Sequence, residues 1–256
     1  MNVHALRQED IVEACARELT EAHRVGLANA KAANFEGISR ADALRIQTRV
    51  LDRLGEKSNV CKVGINAEGL GIWAPIPSTH CGVSGHVFDL PGTGFLGLEV
   101  EVAARLSRDI TPDIAARGNE AVLAAIESFH IGIELVASRF EDRNSASPFA
   151  QLADGINTFG YVHSEVPYSR GHDISESLVE IFINDQPLKP ELGASAFGSI
   201  LNPIVACGRI EERDFDCLKG GMLVTTGALS GLIPIDRPVR IRAGLAGFEQ
   251  VEFLLR

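Results

Sequence analysis

Two carboxylates stand two residues apart in Leu98-Glu99-Val100-Glu101-Val102. Successive side chains of a strand point to opposite faces, so Glu99 and Glu101 share one face and Val100 and Val102 the other. If that face is buried, the two acids repel each other and require protonation or a cation, for which a hard divalent metal is the simplest choice. If it is solvated, the pair is the polar side of an amphipathic strand. A second stretch, Phe129-His130-Ile131-Gly132-Ile133-Glu134-Leu135-Val136, puts four apolar residues on one face and Glu134 on the other, beside Gly132 and Val136. Such an acid is either neutralised by an arginine, with Arg139 available, or recruited to a site. Lys62, in Val60-Cys61-Lys62-Val63-Gly64-Ile65, either snorkels to solvent or places a positive charge in a cleft. Asp154 precedes Gly155, the pattern of an ordinary turn.

Several other matches fail on context. Gly92-Thr93-Gly94-Phe95-Leu96-Gly97 spells G-x-G-x-x-G but runs into the strand of Glu99 and Glu101, so no helix N-terminus follows to hold a pyrophosphate. Gly193-Ala194-Ser195-Ala196-Phe197 lacks the last glycine of a nucleophile elbow. The seven histidines include no H-E-x-x-H and no zinc-like spacing to a cysteine.

The elements that must position these residues change character along the 256-residue chain. Between Asp10 and Ala30, Ile11, Val12, Cys15, Leu19, Ala22 and Leu27 recur at helical spacing. A second helix is expected behind Ser39 and Asp42, an acidic variant of the capping box, and ends at Gly55. From about Val60 the pattern turns to short alternating runs. Strands are expected at Val60–Ile65, Phe95–Ala104, Phe129–Ser138, Leu178–Asn184, Met222–Thr226, Pro238–Ala243 and Glu249–Leu255, with one further helix at Asn119–Ser128 capped by Asn119. Loops rather than regular helices separate the strands, which predicts an α+β chain with a large mixed or rolled sheet, not a doubly wound fold. The organisation expected is a helical part at residues 1–58 and a β-rich body at 59–256 forming one structural unit.

Composition narrows the partners. A formal charge of −10 gives no basic patch, which excludes nucleic acid as the expected partner. No apolar run approaches the roughly 20 residues of a membrane helix, and the first 24 residues do not read as a signal peptide. Five cysteines, at 15, 61, 81, 207 and 217, are expected to be reduced and mostly buried. A cytoplasmic protein is expected.

Lys62-Val63-Gly64, Glu99-x-Glu101 and the run from Glu134 through Leu135 and Val136 to Ser138-Arg139 occur in the order and approximate spacing of one family. The chain resembles the 2-keto-4-pentenoate hydratase and 4-oxalocrotonate decarboxylase group of the fumarylacetoacetate hydrolase superfamily. Ala41, Ala43, Ile46-Gln47 and the Leu223–Gly227 stretch extend the resemblance to nearly the whole chain. It implies a mixed β-roll or barrel-like body with an N-terminal helical part, and Mg²⁺ or Mn²⁺ held by Glu99, Glu101 and Glu134. It further implies a small 2-oxo or 2-hydroxy-dienoic acid as substrate with Lys62 beside it, and a homo-oligomer. Asp154 is expected to position or deprotonate a water, or relay a proton, and Asn157 to bond that water or the substrate tail. The activity implied is a metal-dependent hydratase of aromatic catabolism. The alternatives are a decarboxylase of the 4-oxalocrotonate type and a non-catalytic protein binding an organic acid or a metal. Asp154-Gly155-Ile156-Asn157 replaces the family's Asp-Asn-Ala-Ser, Ala137 its aspartate before Ser-Arg, and Ala206-Cys207-Gly208 stands where a tryptophan is common.

Overall fold

Ser39 starts a helix for a local reason. Its hydroxyl accepts from the Asp42 N–H while the Asp42 carboxylate accepts from the Ser39 N–H, and Gly55, at φ 71°, closes the helix in the left-handed conformation. This helix, α2 (Arg40–Leu54), packs on α1 (Val3–Val25). Val12, Cys15, Ala16, Leu19 and Ala22 form the inner stripe of α1, whereas Ile11 and Leu27, expected on that stripe, are exposed. Leu27 lies beyond the helix, which stops before Gly26 takes a positive φ.

The computed structural model describes residues 3–256 except 90, 91, 93, 169, 170, 172, 175, 176, 189, 212–217, 236 and 237. Thr93, His172 and Cys217 therefore lie outside the described residues. The strands of the body are β1 (Val60–Ile65), β2 (Gly71–Ile76), β3 (Cys81–Val83), β4 (His86–Phe88), β5 (Gly97–Leu106), β6 (Ile126–Val136) and β7 (Thr158–His163). They continue with β8 (Leu178–Ile183), β9 (Gln186–Pro187), β10 (Glu191–Leu192), β11 (Leu223–Ala228), β12 (Ile233–Pro234), β13 (Val239–Leu245) and β14 (Val251–Leu255).

One sheet runs β2-β1-β11-β5-β6-β7-β3 with β12 on β5, and the other β10-β8-β13-β14-β4 with β9 on β8. Both are mixed, because β1/β11, β3/β7 and β4/β14 pair in parallel among antiparallel neighbours. The larger sheet curls into a half-barrel, bringing β2 into contact with β7 although they stand five places apart in the strand order. Val60, Ile76, Ala103, Tyr161 and Leu223 meet inside the curl. On the outer face Val100, Val102, Ile131, Ile133 and Val162 join the main core with Ile181, Ile241, Val251 and Phe253 of the second sheet. The α+β class and the barrel-like body expected from the sequence are both present.

The Asn119–Ser128 expectation is corrected. α4 (Asn119–Leu123), which follows α3 (Pro112–Ala116), has Gly118 rather than Asn119 at its cap, and Ile126–Ser128 belong to β6. Pairing of Ile126 with Leu106 extends the long β5/β6 ladder and outweighs the helix propensity of the alanine-rich run. β2 and β7 were not expected. Pro75 sits in β2, which is tolerated because β2 is an edge strand.

Candidate metal and substrate site

Glu99 lies directly opposite Glu134, and Glu101 opposite Gly132, in the antiparallel β5/β6 ladder. Opposed residues share a face, so all three carboxylates project into the half-barrel. One oxygen from each lies within 4.8 Å of the other two. Glu101 and Glu134 are fully buried and Glu99 is partly exposed. Lys62 reaches the same face from β1, where it pairs with Thr225, which in turn pairs with Ala103 of β5.

The two oxygens of Glu134 have different surroundings. Oε1 accepts from Lys62 Nζ at 2.7 Å and from Thr158 Oγ1 at 2.6 Å. Oε2, together with both oxygens of Glu101, is buried with no hydrogen-bond donor. A desolvated carboxylate without a partner costs several kcal/mol (about 3–5 where one member of a buried pair is removed). Three carboxylates and one ammonium sum to −2, the charge a divalent ion would cancel. The donors are all oxygen, which suits a hard cation, and metal–oxygen distances of about 2.0–2.6 Å permit the observed spread. The residues therefore fit a divalent metal.

Burial, and next the charge of Glu134, pushes the Glu101 carboxyl well above the usual carboxylate range. Burial also raises Glu99, with Lys62 and Arg143 opposing. For Lys62, burial acts to lower the value, but Glu134, Glu101 and Glu99 outweigh it and hold the ammonium above its ordinary range.

Asp154 is not brought into this cluster. It caps α5 (Pro148–Ala153), its Oδ1 accepts from Arg139 Nε at 2.5 Å, and its Oδ2 accepts from Ser138 Oγ at 2.9 Å and the Arg139 N–H at 3.0 Å. Both oxygens thus accept hydrogen bonds from Ser138 and Arg139. Arg139 also donates to the Thr158 carbonyl at 2.7 Å, so the buried pair braces the residue whose hydroxyl holds Glu134. Asn157 sits beside Ile156 with positive φ, 58° and 56°. Its Nδ2 donates to Gln151 Oε1 at 3.3 Å and its buried Oδ1 has no donor.

Residues the sequence reasoning missed complete the walls. Tyr161 lies opposite Glu134 on β7, and its hydroxyl occupies the space a Cβ on Gly132 would fill, 2.0 Å from that position. That hydroxyl and Thr225 Oγ1 are buried without partners. Burial, then Glu101, keeps Tyr161 protonated far above its ordinary range. The alternation in Thr158-Phe159-Gly160-Tyr161-Val162-His163 was the available signal for β7.

The curled sheet, the helical opening and the acid cluster together define a fumarylacetoacetate hydrolase-like fold. Within that class, the chain resembles the 2-keto-4-pentenoate hydratase and 4-oxalocrotonate decarboxylase group. It is 29% identical over 139 residues to 2-keto-4-pentenoate hydratase of Paraburkholderia xenovorans (strain LB400), covering 54% of this chain and 51% of the relative. The same figures hold for 2-keto-4-pentenoate hydratase 3 of Pseudomonas putida. The chain thus spans about half the length of the curated relatives it matches. Among solved structures, 4-oxalocrotonate decarboxylase from Pseudomonas putida G7, complexed with magnesium and adipate, superposes with a TM-score of 0.78 at 17% identity, covering 95% of this chain and 98% of that one. Fumarylpyruvate hydrolase from Pseudomonas aeruginosa, in complex with Mn²⁺ and pyruvate, gives a TM-score of 0.52 at 14% identity over 77% of this chain and 88% of that one. No family model matches the chain.

Proposed function

We propose that the chain is a metal-dependent lyase that hydrates a small 2-hydroxy-dienoic or 2-oxo-4-enoic acid. The observation that carries this reading is the set of three donorless oxygens on Glu101 and Glu134, beside Glu99 and a lysine already paired to one of them. Mg²⁺ or Mn²⁺ held by Glu99, Glu101 and Glu134 would supply Lewis acidity toward the 2-oxygen and carboxylate of the substrate. Adding water across a conjugated bond moves charge onto that 2-oxygen. Lys62 would donate to the substrate carboxylate or the enolate as this charge develops, since its Nζ stands 2.7 Å from Glu134 Oε1. Thr158 and Lys62 together fix Glu134 Oε1, and the donorless Oε2 would be the oxygen that holds the ion. The apolar lining of the curl excludes bulk water from these charges. Asp154 and Arg139 act at one remove by positioning Thr158.

Decarboxylation of a 2-oxo diacid is the second reading, favoured by the overlap with the decarboxylase fold over nearly the whole chain. It needs the same electron sink. The names of the curated relatives and the metal complexes of the fold neighbours support a site of this class. The test is turnover of 2-hydroxypenta-2,4-dienoate and of a 4-oxalocrotonate-type diacid, followed by ultraviolet absorbance with Mg²⁺ or Mn²⁺ and then with excess EDTA. Metal-dependent loss of the dienol signal without carbon dioxide is expected. Release of carbon dioxide would move the assignment to decarboxylation, and turnover unaffected by EDTA would refute the metal site.

A further inference from the structure

β7 pairs with β6, and the register of the pair shifts between Leu135 and Val136. Such an irregularity lets two residues an odd number apart face the same way. Thr158 and Tyr161, three apart, both reach the concave face of the half-barrel. Thr158 shows what a hydroxyl does there. Its Oγ1 donates at 2.6 Å to Glu134 Oε1, so Glu134 is fixed through one oxygen while Oε2 keeps no donor. Glu101, equally buried, has no such partner on either oxygen.

Tyr161 lies where that partner is needed. Its ring begins beside Glu134, its β6 neighbour, and packs with Val60, Ile76, Ala103 and Leu223. The hydroxyl ends over Gly132, in the space a Cβ there would fill. Gly132 is the residue opposite Glu101, and opposed Cβ positions stand only about 4.5–5.5 Å apart. The hydroxyl therefore faces Glu101 across the ladder, whereas Thr225, the other hydroxyl without a partner, pairs with Ala103. One buried donor and two buried acceptors are all satisfied when one Glu101 oxygen goes to an ion and the other to Tyr161.

We infer that Tyr161 is the positioning residue of Glu101, its hydroxyl donating to the carboxylate oxygen that does not hold the ion, as Thr158 does for Glu134. The inference rests on the reading of Glu99, Glu101 and Glu134 as a divalent-metal site. It gives β7 one hydroxyl for each of the two fully buried acids. Groups that fix metal ligands in this way are worth about 10–100-fold in metal affinity.

Titration of metal-free wild type and Tyr161→Phe with Mn²⁺, followed by electron paramagnetic resonance, tests it. Phenylalanine keeps the packed ring and removes only the hydroxyl, and the variant should bind Mn²⁺ about tenfold more weakly. A second readout needs no variant. Donation to a carboxylate moves the near-ultraviolet band of a phenol to the red, and the chain has two tyrosines. The other, Tyr168, already bonds the Asp173 carbonyl at 3.1 Å and Ser177 Oγ at 3.3 Å. Adding Mg²⁺ should thus produce a red-shifted tyrosine difference band in wild type and none in Tyr161→Phe. Mn²⁺ affinity of Tyr161→Phe within about twofold of wild type overturns the inference. Weaker binding without a tyrosine band in wild type also overturns it, since the ring would then act by packing alone. Either result leaves the metal site standing, whereas no Mn²⁺ binding by wild type overturns both.

Discussion

Both carboxylate oxygens of Glu101 are buried without a donor. Its carboxyl is raised in the folded chain by burial and by Glu134. The folded state therefore holds this proton more tightly than the unfolded chain, where glutamate titrates near about 4.3. Stability of the metal-free protein should fall as pH rises from that value toward the raised one. Glu101→Gln removes the charge, so metal-free Glu101→Gln should melt at or above wild type at neutral pH and show a shallower loss of stability between mildly acidic and neutral pH. It should also lose the stabilisation that Mn²⁺ gives wild type. Asp154 works through packing instead. Asp154→Asn weakens the buried pair with Arg139 and should cost about 3–5 kcal/mol if the arginine charge is left uncompensated, read from the midpoint of chemical denaturation. A loss under about 1 kcal/mol would show that the pair does not brace the fold as its burial implies.

At the scale of elements, the site is a product of register. Gly132 sits opposite Glu101, and its missing side chain admits the Tyr161 hydroxyl. Gly132→Ala forces those atoms apart and should destabilise by about 1–3 kcal/mol, an overpacking cost. Tyr161→Phe removes the clashing oxygen, so the double variant should recover part of the loss. If the two losses simply add, the close approach is not what makes glycine necessary there. The same ladder shows which parts of the structure were legible in the chain. Alternation alone located β1, β5 and β6 and put Lys62, Glu99, Glu101 and Glu134 on their polar faces. It could not say that β11 would come between β1 and β5, the long-range pairing that carries Lys62 to Glu134. Ser39, Asp42 and Gly55 fixed α2 because their signals are local. The Asp154-Gly155 turn motif does not reveal that Arg139, fifteen residues earlier, takes up the Asp154 carboxylate.

For the whole molecule, a net charge of −10 sets the long-range field against any anionic substrate, so local cations must supply the attraction at the site. Lys62, paired with Glu134, is such a cation. The helical opening and the second sheet share a continuous core with the outer face of the half-barrel, so the acid cluster rests on packed elements rather than on loops. No helix among the described residues is long and apolar enough to cross a membrane. The measurement that bears most directly on this account is titration of the metal-free protein with Mn²⁺, followed by electron paramagnetic resonance, for wild type and for Glu101→Gln and Glu134→Gln. One bound ion per chain is expected, tightened by oxalate and weakened at least about tenfold in either variant. Stoichiometric binding that survives both substitutions, or no binding by wild type, would contradict it.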